Sequence, residues 1–171
     1  MWQFRGQQRP AFALEPGPDQ ESVWDYPRPP ALVPDPRRVT VRYRDQLVAD
    51  TTAAVRILET ASPPTFYIPP GDVRQEWLQP SRHHTYCEWK GAATYWSFVH
   101  GKLRGDDIGW SYPSPNETFA GIAGYFSFYP SRAECYVDDE RVRAQLGGFY
   151  GGWVTDEIVG PYKGEPGTGG W

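Results

Sequence analysis

The chain has few of the residues on which disulfide scaffolds and metal sites depend. In 171 residues there are two cysteines, Cys87 and Cys135, three histidines and one methionine. Two cysteines cannot build a disulfide framework, and no C-x-x-C pair is present to hold structural zinc. No zinc or other metal site is therefore expected. Both thiols are read as reduced, in a cytoplasmic protein, with a single Cys87–Cys135 bridge as the alternative. No apolar run approaches the roughly 18–20 residues that cross a bilayer. The first residues, MWQFRGQQRPAFALEPGPDQ, lack the continuous apolar segment of a signal peptide, so no membrane association is expected. Positive charge is also short: 17 Lys and Arg against 21 Asp and Glu give a net charge of −4. That is the wrong sign for nonspecific nucleic-acid binding, and no nucleic-acid partner is expected. The sequence contains no G-x-S-x-G, no G-x-x-x-x-G-K-[ST], and no G-x-G-x-x-G between strand and helix.

Glycine, proline and aromatic rings are abundant. There are 18 Gly and 18 Pro, and 16% of residues are Phe, Trp or Tyr. So many helix breakers argue against a bundle and suit short strands joined by turns. So many rings argue against disorder. The length fits one domain with appendages.

Three zones follow. Residues 1–37 form a Pro-rich arm, extended or loop-like because proline removes donors. Its Trp2, Phe4, Phe12, Trp24 and Tyr26 make docking of SVWDYPRPP onto the body or a second subunit the expectation, against a mobile tail. Residues 38–146 form the body. RVTVRYRDQLVADT reads as a hairpin turning at Arg44–Gln46, AAVRILET and PPTFYIPP as strands, and GDVRQEWLQPS as one helical turn capped by Asp72. Further strands are expected over 83–89, 92–99, 108–112, 122–129 and 134–138, which makes the class all-β. Residues 147–171 form a Gly/aromatic C-terminal tail that wraps the body, its rings acting as anchors.

The densest chemistry lies in SRHHTYCEWKGAATYW, residues 81–96. With Lys90–Gly91 as a turn between two strands, His83, Thr85, Cys87 and Trp89 share one face and His84, Tyr86, Glu88 and Lys90 the other. His83 and Cys87 then stand roughly 13 Å apart at about 3.3 Å per residue, too far for a Cys–His nucleophile pair. Lys90 points away from Cys87 in this reading. Cys87 is either a buried wall or a reactive thiol. Lys90 either meets an anionic or carbonyl group in a cleft or is solvated beside Glu88 or Asp72. Asp138–Asp139–Glu140 is an acidic turn or a set of oxygen ligands for a divalent cation. Tyr67, Trp89, Tyr95, Trp96, Trp110 and Tyr112 fill a core or line a pocket for a flat or cationic small molecule.

These motifs resemble a known family. VADT, LET, PPTFYIPPGDV and TYCEWKGAATYW, followed by WSYPSP, IAGYFSFYP and VDDERV, look like domain-of-unknown-function family 427. The match runs from about Arg38 to Val142. The tail GGFYGGWVT…GPYKG…PGTGGW resembles the C-terminal extension of one bacterial branch. The resemblance implies a β-tent-like pair of antiparallel sheets, similar to the ligand-binding domain of cereblon and to methionine sulfoxide reductase B. The cysteine pairs that hold zinc in those relatives are missing here, so their metal does not carry over. The family also carries a nucleotidyltransferase label, but the Gly-Ser turn which that chemistry uses ahead of paired carboxylates is absent. No catalytic residue can be transferred from the family.

The function expected is a small-molecule-binding domain, with enzyme activity left open. The residues expected to line its cleft are Tyr67, Asp72, Cys87, Lys90, Tyr95, Trp96, Trp110 and Tyr112. The alternatives are an interaction or homo-oligomerisation module using the arms, and nucleotidyl transfer.

Overall fold

A computed structural model describes residues 1–171. In chain order the strands are β1 (Glu21–Ser22), β2 (Ala31–Asp35), β3 (Val39–Tyr43), β4 (Gln46–Thr51), β5 (Ala54–Leu58), β6 (Thr65–Tyr67), β7 (Leu78–Cys87) and β8 (Gly91–His100). They continue with β9 (Leu103–Ser111), β10 (Phe126–Phe128), β11 (Glu134–Val137), β12 (Glu140–Arg141), β13 (Arg143–Ala144), β14 (Trp153–Val154) and β15 (Ile158–Val159). The only helices are short 3-10 turns, and none is long and apolar enough to cross a membrane.

Two four-stranded antiparallel sheets carry the all-β body, in the orders β10-β9-β8-β7 and β12-β11-β3-β4. The β3–β4 hairpin forms because Val39 and Val41 alternate with polar neighbours, and Arg44 and Asp45 accept the positive φ angles of a tight hairpin turn. Val39, Val41 and Val48 of one sheet pack in the same core as Phe98, Ile108, Phe126 and Phe128 of the other. A third sheet, β2-β5-β6, adds its own face to a second core containing Ile57, Tyr67, Tyr95, Trp110, Tyr112 and Tyr129. Thus β8 is buried on both sides. Ala93 and Tyr95 enter the second core, while Phe98 enters the first and Trp96 packs against it.

Strand β2 lies inside the stretch read from sequence as an arm, yet it pairs along its length with β5, from Ala31 opposite Leu58 to Asp35 opposite Ala54. The preceding chain and the tail pack together. Trp24 meets Phe4, Phe12 and Trp171 at ring separations of 5.1–5.2 Å within one cluster, with Phe12 stacked on Trp171 at 5.0 Å. Main-chain bonds from Gln3 to Gly170 (3.0 Å) and from Glu21 to Glu157 (2.7 Å) tie the two segments, and Trp153 donates to Pro64 of the body at 2.8 Å.

Some element boundaries depart from expectation. Glu117–Ile122 is a 3-10 segment, so the strand read over 122–129 shortens to Phe126–Phe128. Asp72 does not cap the helical turn Gln75–Trp77. It ends the separate turn Pro70–Asp72, and its carboxylate accepts from Thr51 Oγ1 at 2.7 Å.

Candidate functional site

The second core is not filled. It opens into a cavity of about 550 Å3 lined by Tyr67 from β6, Thr85 and Cys87 from β7, Tyr95 from β8, and Trp110 from β9. Tyr112 and Tyr129 add two more phenols just beyond β9 and β10. The register explains the convergence. Thr85 stands opposite Ala93 and Tyr95 opposite Trp110, so alternate residues on three neighbouring strands face the same hollow. Thr85 Oγ1 and Tyr95 Oη share a hydrogen bond of 2.8 Å, and Trp110 Nε1 donates to Tyr67 Oη at 3.1 Å.

The β7–β8 loop supplies the charge. Cys87 pairs with Gly91, which leaves Glu88, Trp89 and Lys90 as a three-residue loop closed by Gly91 at φ +102°. Asn116 holds it, its main-chain N–H donating to Lys90 O (3.1 Å) and its side chain to Trp89 O (2.8 Å). Trp89 Nε1 donates to Glu59 at 3.0 Å. Lys90 turns inward and is 9% exposed, with Nζ 5.7 Å from the centre of the Tyr112 ring. This corrects the reading that set Lys90 on the outer face, away from Cys87. Pleat alternation ends at Cys87, and a loop residue is free to fold back over the strand it leaves.

Lys90 forms none of the molecule's ion pairs. The other charges at the cavity are engaged. Glu88 accepts from Trp2 Nε1 at 3.1 Å, Glu59 lies 3.6 Å from the buried Arg28 guanidinium, and Lys163 Nζ sits 4.1 Å from the Trp2 ring centre. Burial works to lower the Lys90 pKa, but Tyr67, Cys87 and Glu59 outweigh it and hold the ammonium above the ordinary lysine value. Burial also pushes the phenols of Tyr67, Tyr112 and Tyr129 upward, so they remain neutral hydrogen-bonding groups. Burial lowers Lys163.

Six of the expected residues therefore meet at one hollow: Tyr67, Cys87, Lys90, Tyr95, Trp110 and Tyr112. Two do not. Trp96 points to the opposite face of β8, where its indole donates to Ser111 Oγ at 2.9 Å and packs on Phe126 at 5.3 Å. Asp72 is exposed on its own turn and bonded to Thr51. The sequence reading missed Glu59, although its LET motif contains it, and Thr85 and Tyr129. It also missed the part played by the chain ends: Trp2, Tyr150, Gly151 and Lys163 all line the cavity.

The thiols are separate and free. Cys135 is fully buried in the first core, where burial pushes its pKa up, while Cys87 is partly exposed, so no Cys87–Cys135 bridge forms. Asp138 and Asp139 form the β11–β12 turn, where Asp138 accepts from the Arg38 main-chain N–H at 3.2 Å. No group of three or more His, Cys, Asp and Glu side chains converges as cation ligands would.

A search of the curated proteins finds no match. A family model does match, over residues 31–139, beginning at strand β2 and ending at the β11–β12 turn. That span holds both four-stranded sheets but for β12, together with every inward-facing residue of the hairpins, and by it the chain belongs to the family described as Domain of unknown function (DUF427).

Proposed function

We propose that the chain is a small-molecule-binding domain whose cavity takes a ligand with a flat apolar body and an anionic or carbonyl oxygen end. One observation carries this reading: Lys90 is nine-tenths buried at the wall of an aromatic cavity, with no carboxylate partner. A buried ammonium that makes no salt bridge keeps N–H donors unsatisfied, which is costly unless an acceptor completes them. A ligand oxygen is the natural complement, and the phenols of Tyr67, Tyr95 and Tyr112 stand ready to share it. The rings of Trp110 and the tyrosines supply flat apolar walls.

The test is a binding screen with aromatic carboxylates, aryl phosphates and uncharged aromatics of the same outline, read by thermal shift and tryptophan fluorescence. Anionic compounds are expected to bind the full chain more tightly than their neutral counterparts. A charge-assisted hydrogen bond contributes about 1.5–3 kcal/mol, so Lys90→Met should weaken the anionic binders by roughly 10–100-fold. Equal affinity for charged and neutral compounds, or an unaffected Lys90→Met protein, defeats the reading.

The interaction reading retains one observation in its favour. Tyr86, Leu146 and Phe149 are large exposed apolar side chains, and Tyr86 and Phe149 stand at the rim of the cavity. A partner that bound there would compete with the small ligand.

A further inference from the structure

Resting on that cavity as a ligand site, we infer that Cys87 is its reacting group: a nucleophile that accepts the acyl group of an activated ester or thioester. Three placements support this. Cys87 ends β7 with its side chain part of the cavity wall, whereas Cys135 is sealed in the other core. Lys90, the last residue of the three-residue loop that follows Cys87, is nine-tenths buried, lines the same wall and has no ion-pair partner. Neutral phenols of Tyr67 and Tyr112 complete the wall around the two.

No histidine serves as a base. His83 lies against Tyr95 with tilted rings, 4.4 Å between centres, and all three histidines are exposed; none of them lines the cavity. Activation therefore comes from charge. A neighbouring ammonium favours thiolate over thiol, and the thiolate is the nucleophile. The thiol proton goes to solvent. Cys87 Sγ bonds to the acyl carbon, the carbonyl π pair moves to oxygen, and the Lys90 ammonium faces the oxyanion that forms. Collapse breaks the bond to the leaving oxygen or sulfur, which departs with its electron pair. The product is a thioester on Cys87, and water returns it to thiol and free acid. Flat rings around the sulfur select an aromatic acyl or leaving group.

The experiment uses the full chain with p-nitrophenyl acetate, following p-nitrophenolate release by absorbance and the acetylated peptide by mass spectrometry. A burst of one equivalent is expected, with acetyl on the peptide containing Cys87. Cys87→Ala should abolish the burst and Lys90→Met should slow it about tenfold, while Lys90→Arg keeps the charge and restores most of it. Iodoacetamide, too small to need the aromatic walls, reports thiolate character independently of ligand binding. It should modify Cys87 at least about tenfold faster than Cys135 in the same molecule, with Lys90→Met narrowing the gap. Acetyl on a lysine, or a Cys87 no more reactive than a free thiol in either assay, overturns the inference. That outcome leaves anion binding at Lys90 intact, so the two readings fail separately.

Discussion

Trp110 Nε1 donates to Tyr67 Oη at 3.1 Å, a buried bond that ties β9 of one sheet to β6 of another across the back of the cavity. The two rings meet edge to face, 6.2 Å between centres. Tyr67→Phe keeps the ring and removes the acceptor. The buried indole N–H then lacks its partner, a loss of about 1–3 kcal/mol. For a chain of this size that lowers Tm by roughly 2–4 °C per kcal/mol. Differential scanning calorimetry checks it; an unchanged Tm means that the bond contributes nothing net.

Much of this framework was legible in the sequence because it obeys a period of two. Val39 and Val41 against Thr40 and Arg42 announce a strand with one buried face, and Thr85 and Cys87 against Tyr86 separate cavity from solvent in the same way. Tyr95 and Trp96 show where that signal stops. Both faces of β8 are buried, both residues are large rings, and nothing in the local pattern says which ring faces which core. Alternation extended past Cys87 into the loop places Lys90 outward, whereas the loop folds it in. Trp2 and Lys163 reach the cavity through irregular chain, where no period exists to reveal a contact between residues so distant in sequence.

Gly151 lies against the edge of the Trp110 ring, so close that a Cβ there would overlap the indole. Gly151→Ala must push the ring inward or the tail outward. Overpacking of this kind costs about 1–3 kcal/mol. Both responses reshape the cavity, so the substitution should weaken aromatic ligands more than Tyr67→Phe does. Tryptophan emission and ligand titration measured together decide this; an unperturbed spectrum with unchanged binding contradicts the packing described.

Asp35 gives the acid limb of stability a specific origin. Burial of its carboxylate is outweighed by hydrogen bonds from Arg37, at 2.7 Å from its guanidinium, and by the charge of Arg56 at 3.5 Å, so its pKa lies below the ordinary carboxylate range. A depressed carboxylate stabilises the fold at every pH above its unfolded value of about 3.9, and the contribution is lost as pH falls through the lower folded value. Asp35→Asn should therefore be less stable than wild type at pH 7, and the two denaturation curves should converge as pH drops below about 4. Parallel curves across that window would show that Asp35 is not the group responsible.

The chain before Ala31 and the chain after it should respond differently to truncation. Removing residues 1–20 takes away Trp2 and the rings of Phe4 and Phe12, and opens one side of the cavity, but it leaves all three main sheets whole. Removing residues 1–37 deletes β2 as well, and with it Asp35 and the hydrogen-bonded partner of β5. Val23, Trp24 and Tyr26, buried against Ala61 and Ile158, go too. The shorter deletion should stay folded with a lowered Tm and faster ligand exchange, because Trp2 no longer covers Arg28 and Lys163. The longer one should lose cooperative unfolding, since an unpaired β5 edge and an opened core remain. Circular dichroism melts with size-exclusion mass distinguish the two. A cooperative, monomeric 38–171 fragment would show that β2 is an accessory strand and that the domain begins after it.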